Sequence, residues 1–450
     1  MTKGLWTTVF VVCSLAAWAA PAVTVSVEPS DPAILRETPT GVECLIYLSV
    51  NNDSNATLDS LILVADCGGT SVVRSLLPVK PGKNTDTLWL PEPVPARIDT
   101  SVKRGDKIVW QGTLERPANA SARMTVPLSP TVKIEQLKPK MLRGTNYLPR
   151  RTPWAGIWRH ADTPVLDAEF SVMNELNVNT FRTFYFFDEE SGLVRRDGTV
   201  TPAKLKRIDH LLSVAGRHRL KVLFCLTGSQ PYTEELDTWR RFFRTGIEPF
   251  AYDGRVLMWD LINEPGGVEG PKASPPLSRW IQTMYPELEK LAPNHMLTVG
   301  LCWQFDQLWD LGVKPPVGQY HNYSSAIGVQ PEGRPPVRNV ADDLAEIKRF
   351  IGDRPLVIGE FGYPSQATDE RKDASEERQR AIYEGILTGV DATPIAGVFN
   401  WTLFHFEPDW MGRSEQSFGV VRLDGTLKPA GELLKSAYAR WKNEITAPWE

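Results

Sequence analysis

The sequence predicts a (β/α)8 barrel preceded by a small all-β sandwich, and three observations carry that expectation. The 450 residues exceed what one hydrophobic core ordinarily serves, so a large and a small domain are expected. From Val23 to about Ala122 apolar and polar residues alternate with period two, as where Val23, Val25 and Val27 flank Thr24 and Ser26. After Met141 the rhythm changes to short apolar runs separated by amphipathic segments, the pattern of strands alternating with helices.

In the first part, further strand candidates are Cys44–Val50, Leu61–Ala65, Thr87–Leu90 and Lys107–Trp110, divided by clusters of Pro, Gly, Asn and Asp. Short strands with turn signals at this spacing read as a sandwich over residues 20–126. The polar, proline-containing segment 127–140 reads as a connection to the barrel at 141–450. There the strand candidates are Leu142–Tyr147, Asn179–Phe184, Leu220–Leu226, Val256–Ile262, Met296–Leu301, Gly318–His321, Leu356–Gly359 and Ile395–Trp401. Amphipathic segments separate them at Thr163–Leu176, Pro202–Arg217, Leu277–Leu291, Val340–Ile351, Glu376–Leu387 and Ala430–Trp441. Eight units over roughly 300 residues match the size and count of a (β/α)8 barrel. The helical periodicity is weakest in the third unit and in the one after Leu301.

Composition excludes several classes. Hydrophobic residues at 42% and charged residues at 23% are the balance of an ordinary globular chain and exclude disorder. The net charge of -4 comes from interspersed acids and bases, which argues against nucleic-acid partners and a polybasic membrane role. At the N-terminus, Lys3, the apolar run Leu5–Ala17 and the small-x-small site Ala17-Trp18-Ala19 read as an export signal over residues 1–19. No later apolar run reaches the roughly 20 residues of a membrane-spanning helix. A secreted monomer, extracellular or periplasmic and without a membrane span, is therefore expected. With six His and no HExxH or paired CxxC, neither a metal nor another cofactor is expected. Cys44 and Cys67 lie in the first domain, where export leaves both a disulfide and free thiols open. Cys225 and Cys302 read as buried thiols.

Two stretches carry the chemistry. WDLINEP, Trp259 to Pro265, and LVIGEFG, Leu356 to Gly362, are apolar runs that each end in a glutamate beside a turn former. That is how a buried barrel strand delivers a carboxylate to the C-terminal rim, where barrel active sites form. One carboxyl that gives a proton to a leaving oxygen, with one carboxylate that attacks an anomeric carbon, is the requirement of retaining glycoside hydrolysis.

WDLINEP, YHNY (Tyr320 to Tyr323) and IGEFG, in this order, resemble the clan of retaining (β/α)8 glycosidases. Over about Met141–Trp441 the chain looks most like glycoside hydrolase family five, with its cellulases and mannanases. The resemblance implies Glu264 as acid/base and Glu360 as nucleophile. It also implies that Asn263 bonds the sugar 2-hydroxyl, that His321 lies near the acid/base, and that Tyr323 donates to the nucleophile. Arg182, in NTFRTF, would brace the nucleophile and hold its pKa low, and Trp401 would lie under the sugar being cleaved. Tyr147, Trp303, Phe404, His405 and Trp410 could line the cleft or pack in its walls, and Glu407 could read substrate hydroxyls.

Many cellulases of the family carry a histidine after the third strand, where this chain reads FCLTGSQPY from Phe224 to Tyr232. That departure weakens the cellulase label and leaves the chemistry intact, and the expected substrate is a β-linked polysaccharide or oligosaccharide of mannan or β-glucan type. A sandwich ahead of the barrel is similar to exo-acting β-galactosidase and β-mannosidase relatives, so exo action stays open beside endo action. A non-catalytic carbohydrate-binding protein would be expected to lack one of the two glutamates. Trp89 and Trp110 could give the sandwich a sugar platform or pack inside it.

Overall fold

The structure, a computed structural model, describes residues 23–28, 30, 32–115, 122–153, 156–160, 162–185, 193–228, 235–265, 275–301, 312–323, 340–369, 371–407 and 413–450. The expected export signal, Cys302, Trp303 and Trp410 lie outside these residues. The chain forms two compact units that divide between Thr125 and Val126.

The first unit contains strands β1 Val23–Glu28, β2 Ala33–Thr38, β3 Gly41–Asn52, β4 Leu61–Asp66, β5 Ser71–Ser75, β6 Gly82–Pro91, β7 Arg97–Arg104, β8 Lys107–Glu115 and β9 Arg123–Val126. One sheet is built on the long strand β3. It pairs with β6 along one edge, and with β1 and then β2 along the other, with β9 beyond β2. The other sheet runs β5-β4-β7-β8. Alternation decides what each strand buries: Leu61, Leu63 and Ala65 of β4 point inward, as do Ile98, Thr100 and Val102 of β7. The apolar ones among these side chains join Leu35, Ile46, Leu48 and Leu90 in one core. Cys44 and Cys67 are both buried there as free thiols. Trp89 is buried with the Arg36 guanidinium 3.9 Å over its ring, and Trp110 packs partly buried against the core.

In the second unit a closed barrel of parallel strands runs in chain order. Its strands are β10 Leu142–Asn146, β11 Thr180–Phe184, β12 Lys221–Cys225, β13 Val256–Asn263, β14 Met296–Leu301, β15 Gly318–Asn322, β16 Leu356–Phe361 and β17 Gly397–Asn400, with β17 returning to β10. Covered on both faces, these strands read as continuous apolar runs. The helices between them follow local signals. In the helix Pro202–Arg217, proline opens the first turn after Thr201, and Leu205, Ile208, Leu211, Leu212 and Ala215 recur on one buried face. In Glu376–Ala392 the Ser375 hydroxyl accepts from the Arg378 amide at 3.0 Å, a side-chain cap.

The third unit has only a short helix, Leu236–Phe242, which widens into a π turn at Phe243–Ile247 and tightens into a 3-10 turn at Glu248–Phe250. This break in the 3.6-residue repeat explains why its helical periodicity is weak in the sequence. Residues 127–140 are part of the barrel unit. Val132 and Leu137 are buried with Met141, Leu257 and Met258, and the Ser129 hydroxyl accepts from the Gly254 amide at 2.7 Å. At the same N-terminal end of the barrel, Glu450 takes hydrogen bonds from Arg143 and Asn179. The opposite, C-terminal ends of the strands carry the site.

Candidate active site

Four side chains converge through Arg182, which sits inside β11 and is fully buried. Its Nε and Nη2 donate to Asp260 Oδ2 at 3.1 and 2.9 Å, and Nη2 also donates to Asn263 Oδ1 at 2.6 Å. Its Nη1 donates to Asn146 Oδ1 at 3.0 Å and to Glu360 Oε1 at 2.6 Å. Burial disfavours the cation, but the carboxylates of Asp260 and Glu360 hold its proton more tightly than water does. The guanidinium therefore stays charged, and its fork fixes three rim groups at once.

Glu360 lies in β16, and its other oxygen accepts from the Tyr323 hydroxyl at 2.9 Å. Burial and the neighbouring carboxylates push the Tyr323 phenol well above its usual range, so it remains a donor. The expectation of a low pKa for Glu360 needs correction. Burial raises its carboxyl above the ordinary value, against the lowering pull of His321, Arg182 and Tyr323, and the charge of Glu264 adds to the rise. Arg182 divides its charge between Asp260 and Glu360, so it compensates only part of the desolvation.

Glu264 stands one residue beyond β13, with φ +46 and its amide bonded to Gly300 O at 2.6 Å. This left-handed turn carries the side chain off the strand and toward β15. His321 Nδ1 lies 2.7 Å from Glu264 Oε1 and 3.6 Å from Glu360 Oε2. Its Nε2 is buried and has no hydrogen-bond partner among the described residues. Ligand atoms of Glu264, His321 and Glu360 all lie within 4.8 Å of one another, a spacing that a cation could bridge. Here Arg182 and Tyr323 engage both oxygens of Glu360, and His321 engages Glu264, so proton donors and acceptors already order the cluster.

The structure thus brings Arg182, Asn263, Glu264, His321, Tyr323 and Glu360 together. Trp401 closes β17, with its amide on Phe361 O at 2.7 Å and its ring edge-on to Phe184 at 6.1 Å. The peptide between Trp401 and Thr402 is cis. Of the residues read as lining the cleft or packing in its walls, Tyr147 and Phe404 are buried. Tyr147 is fully buried behind the strands, its hydroxyl on Glu169 at 2.7 Å and its ring against Phe170 and Phe181. Phe404 is a buried wall residue beneath Arg150, and His405 is half-buried, with its pKa pushed down to about 4 chiefly by burial. Glu407 is exposed.

Sequence reasoning missed three participants. Asp260 is a charge inside an apolar strand, Asn146 follows the first strand's glycine, and Glu415 lies beyond the eighth strand with Oε2 2.8 Å from Trp401 Nε1. The signal for Asp260 was present, since an acid at an inward strand position needs a buried partner. Gly300 is part of the same fit: a Cβ there would stand 2.6 Å from Gln319 Nε2 and 2.9 Å from Asp260 Oδ2.

No protein-family profile and no curated protein matches the chain. Solved structures do. The GH5_18 protein of Streptomyces cattleya in complex with GlcNAc matches with TM-score 0.55 and 17% identity over 69% of this chain and 82% of that one. An exo-β-1,4-mannosidase from an Opitutaceae bacterium matches with TM-score 0.54 and 19% identity, over 67% of this chain and 59% of that one. The β-glucuronidase of Faecalibacterium prausnitzii matches with TM-score 0.51 and 15% identity over 94% of this chain and 66% of that one, a span that includes both units. At these identities the likeness is one of fold: a (β/α)8 barrel preceded in sequence by a β-sandwich, both of which fall within the span matched by the β-glucuronidase.

Proposed function

We propose that the protein is an exported, retaining β-glycosidase that hydrolyses O-glycosidic bonds of a β-linked polysaccharide or its oligosaccharides, of mannan or β-glucan type. The observation that carries this reading is the meeting of Glu264 and Glu360 at the ends of β13 and β16, with oxygens within 4.8 Å. Retaining glycosidases hold their carboxyl groups about 5 to 5.5 Å apart, whereas inverting ones need roughly 6.5 to 9.5 Å to admit a water. One oxygen of each carboxyl within 4.8 Å of the other supports direct attack by Glu360 over a water held between the two groups.

In the first step Glu360 bonds to the anomeric carbon while the bond to the leaving oxygen breaks, and Glu264 gives that oxygen its proton. In the second, Glu264 takes a proton from water, whose oxygen displaces Glu360 and restores its carboxylate. His321 Nδ1 can accept from protonated Glu264 and donate to its carboxylate, so this contact suits both halves of the cycle. Asn263, held by Arg182 and next to Glu264 in the chain, is the residue assigned to bond a sugar hydroxyl, and that hold supports the reading.

A second reading, exo action, is favoured by the exo-mannosidase among the fold relatives and by the β-glucuronidase that matches across both units. Both readings are tested by chromatography of products from mannan, mixed-linkage glucan, cellulose, xylan, galactan and their short oligosaccharides, with a Glu360→Ala control. Oligosaccharides released from one polymer, and absent in the control, support endo action. Monosaccharide from chain ends supports exo action. Silence on every substrate would overturn the glycosidase reading.

A further inference from the structure

We infer that Glu415 is a specificity-determining residue of this cleft, accepting hydroxyl hydrogen bonds from a neutral sugar and turning away a sugar that carries a carboxylate. The inference rests on the glycosidase reading and deepens it by naming the substrate class.

Glu415 sits in a short helical turn, Arg413–Gln416, after β17. Its Oε2 accepts the indole N–H of Trp401 at 2.8 Å. Its other oxygen takes no hydrogen bond from the described residues. Beyond the effect of burial, the charges of Glu360 and Glu264 both push the Glu415 carboxyl upward, so it lies within electrostatic reach of the catalytic pair. The geometric link runs through Trp401, whose indole N–H is on Glu415 at 2.8 Å and whose amide is on Phe361 O, the residue after Glu360, at 2.7 Å.

The carboxylate is held in place. The next carbonyl but one, Ser417 O, accepts from the Ser365 amide at 3.2 Å, the Ser365 hydroxyl at 3.0 Å and Lys428 Nζ at 2.9 Å. Gln379 Nε2 donates to Phe418 O at 2.8 Å, and the Phe418 ring meets Tyr323 edge-on at 6.1 Å. These donors hold the backbone just after Glu415, and the Trp401 bond holds one carboxylate oxygen, the kind of positioning that hydroxyl recognition needs.

Charge then decides the ligand. A carboxylate accepts strong hydrogen bonds from hydroxyls, while a like charge brought beside it in a low-dielectric cleft is repelled. Arg182 directs its donors to Asn146, Asp260, Asn263 and Glu360. Arg371 acts on Glu415 only as a lesser, opposing charge. The fold is shared with a β-glucuronidase as well as a mannosidase, so fold alone leaves this choice open and Glu415 supplies the discrimination.

The test compares kcat/KM of the wild type and Glu415→Gln on para-nitrophenyl β-mannoside, β-glucoside, β-galactoside, β-N-acetylglucosaminide and β-glucuronide. The amide oxygen of the variant keeps an acceptor for Trp401, and its thermal midpoint checks folding. The wild type should favour a neutral glycoside over the glucuronide by roughly a hundredfold, and the variant should lose roughly tenfold to a hundredfold on that neutral substrate. Glucuronide turnover should hold or rise, so that the ratio collapses. An equal loss on all substrates, or a wild type that prefers the glucuronide, would overturn the inference and leave the glycosidase reading standing. Should the variant not fold, inhibition of the wild type by mannonolactone against saccharolactone decides, with tighter saccharolactone binding counting against Glu415. No turnover of any glycoside would remove both readings together.

Discussion

Asp260 aims Arg182 at Glu360: one carboxylate oxygen accepts both Nε and Nη2, at 3.1 and 2.9 Å, and leaves Nη1 directed at the Glu360 carboxylate. Both members of the pair are fully buried. Asp260 also accepts from Gln319 Nε2 and from the Gly300 amide, each at 2.8 Å, so it ties β11, β13, β14 and β15 together beneath the candidate nucleophile. Replacing it by Ala leaves a buried guanidinium half-compensated, which should cost about 3 to 5 kcal/mol of stability. Asp260→Asn keeps an acceptor and should fold better, yet lower kcat by roughly a hundredfold because Glu360 is no longer held in line. Urea unfolding and kcat on one substrate check the two effects separately.

The two glutamates should respond differently to loss. Glu360→Ala removes the proposed attacking group and should abolish turnover. Glu264→Ala should slow substrates with poor leaving groups by about 100-fold or more while sparing activated aryl glycosides, because only the former depend on protonation. Rates across a series of aryl leaving groups would show this as a steeper dependence on leaving-group pKa. Equal losses across the series would count against Glu264 as the acid.

The acid limb of the pH profile should report Glu360. Its carboxyl is raised above the ordinary value of 4.5, chiefly by burial. The attacking form is the anion, so kcat/KM should fall as pH drops through a midpoint above 4.5. Tyr323 donates to that anion and favours it, so Tyr323→Phe should move the limb to higher pH and lower kcat. A limb that stays in place would mean that the phenol does not stabilise the nucleophile.

Much of this was legible in the sequence because the barrel strands are buried on both faces and read as apolar runs with sharp ends. Met296–Leu301 and the helices Pro202–Arg217 and Val340–Ile351 are found with the bounds that their patterns predict. In the sandwich β7, RIDTSVKR, was not legible, because its charged and polar outward face breaks the apolar run and leaves only Ile98 and Val102 as inward apolar signals. At the site, the residues that were legible sit beside turn formers on strand ends. Glu415 was not, because nothing in its local sequence shows that a loop returns to Trp401. The direction of the Glu360 pKa was also beyond reach, since it depends on how much solvent the fold removes.

Gly300 should tolerate no side chain. An alanine Cβ would stand 2.6 Å from Gln319 Nε2, 2.9 Å from Asp260 Oδ2 and 3.1 Å from His321 Nε2. Two of these atoms, Gln319 Nε2 and Asp260 Oδ2, are themselves in hydrogen bonds, and His321 is held through Nδ1, so they cannot retreat without breaking them. Gly300→Ala should therefore destabilise by about 1 to 3 kcal/mol and impair turnover through both Asp260 and His321. Wild-type kinetics in this variant would mean that the buried network beneath the cleft adapts freely.

Lys428 should make stability depend on pH in the alkaline range. Its ammonium is buried, donates to Ser365 Oγ at 2.7 Å and Ser417 O at 2.9 Å, and is shifted from 10.5 down to about 7, chiefly by burial. Between pH 7 and 10.5 the unfolded chain binds this proton and the folded chain does not. The folded state must then gain stability as pH rises through that window, by up to about 1.4 kcal/mol per pH unit from this group. Lys428→Met removes the titration, so the stability of the wild type relative to the variant should increase with pH from 7 to 10. Urea midpoints for both proteins at pH 6, 8 and 10 would show it. A constant difference would mean that Ser365 and Ser417 hold the lysine charged throughout, and that the Glu415 loop is fastened by a permanent cation.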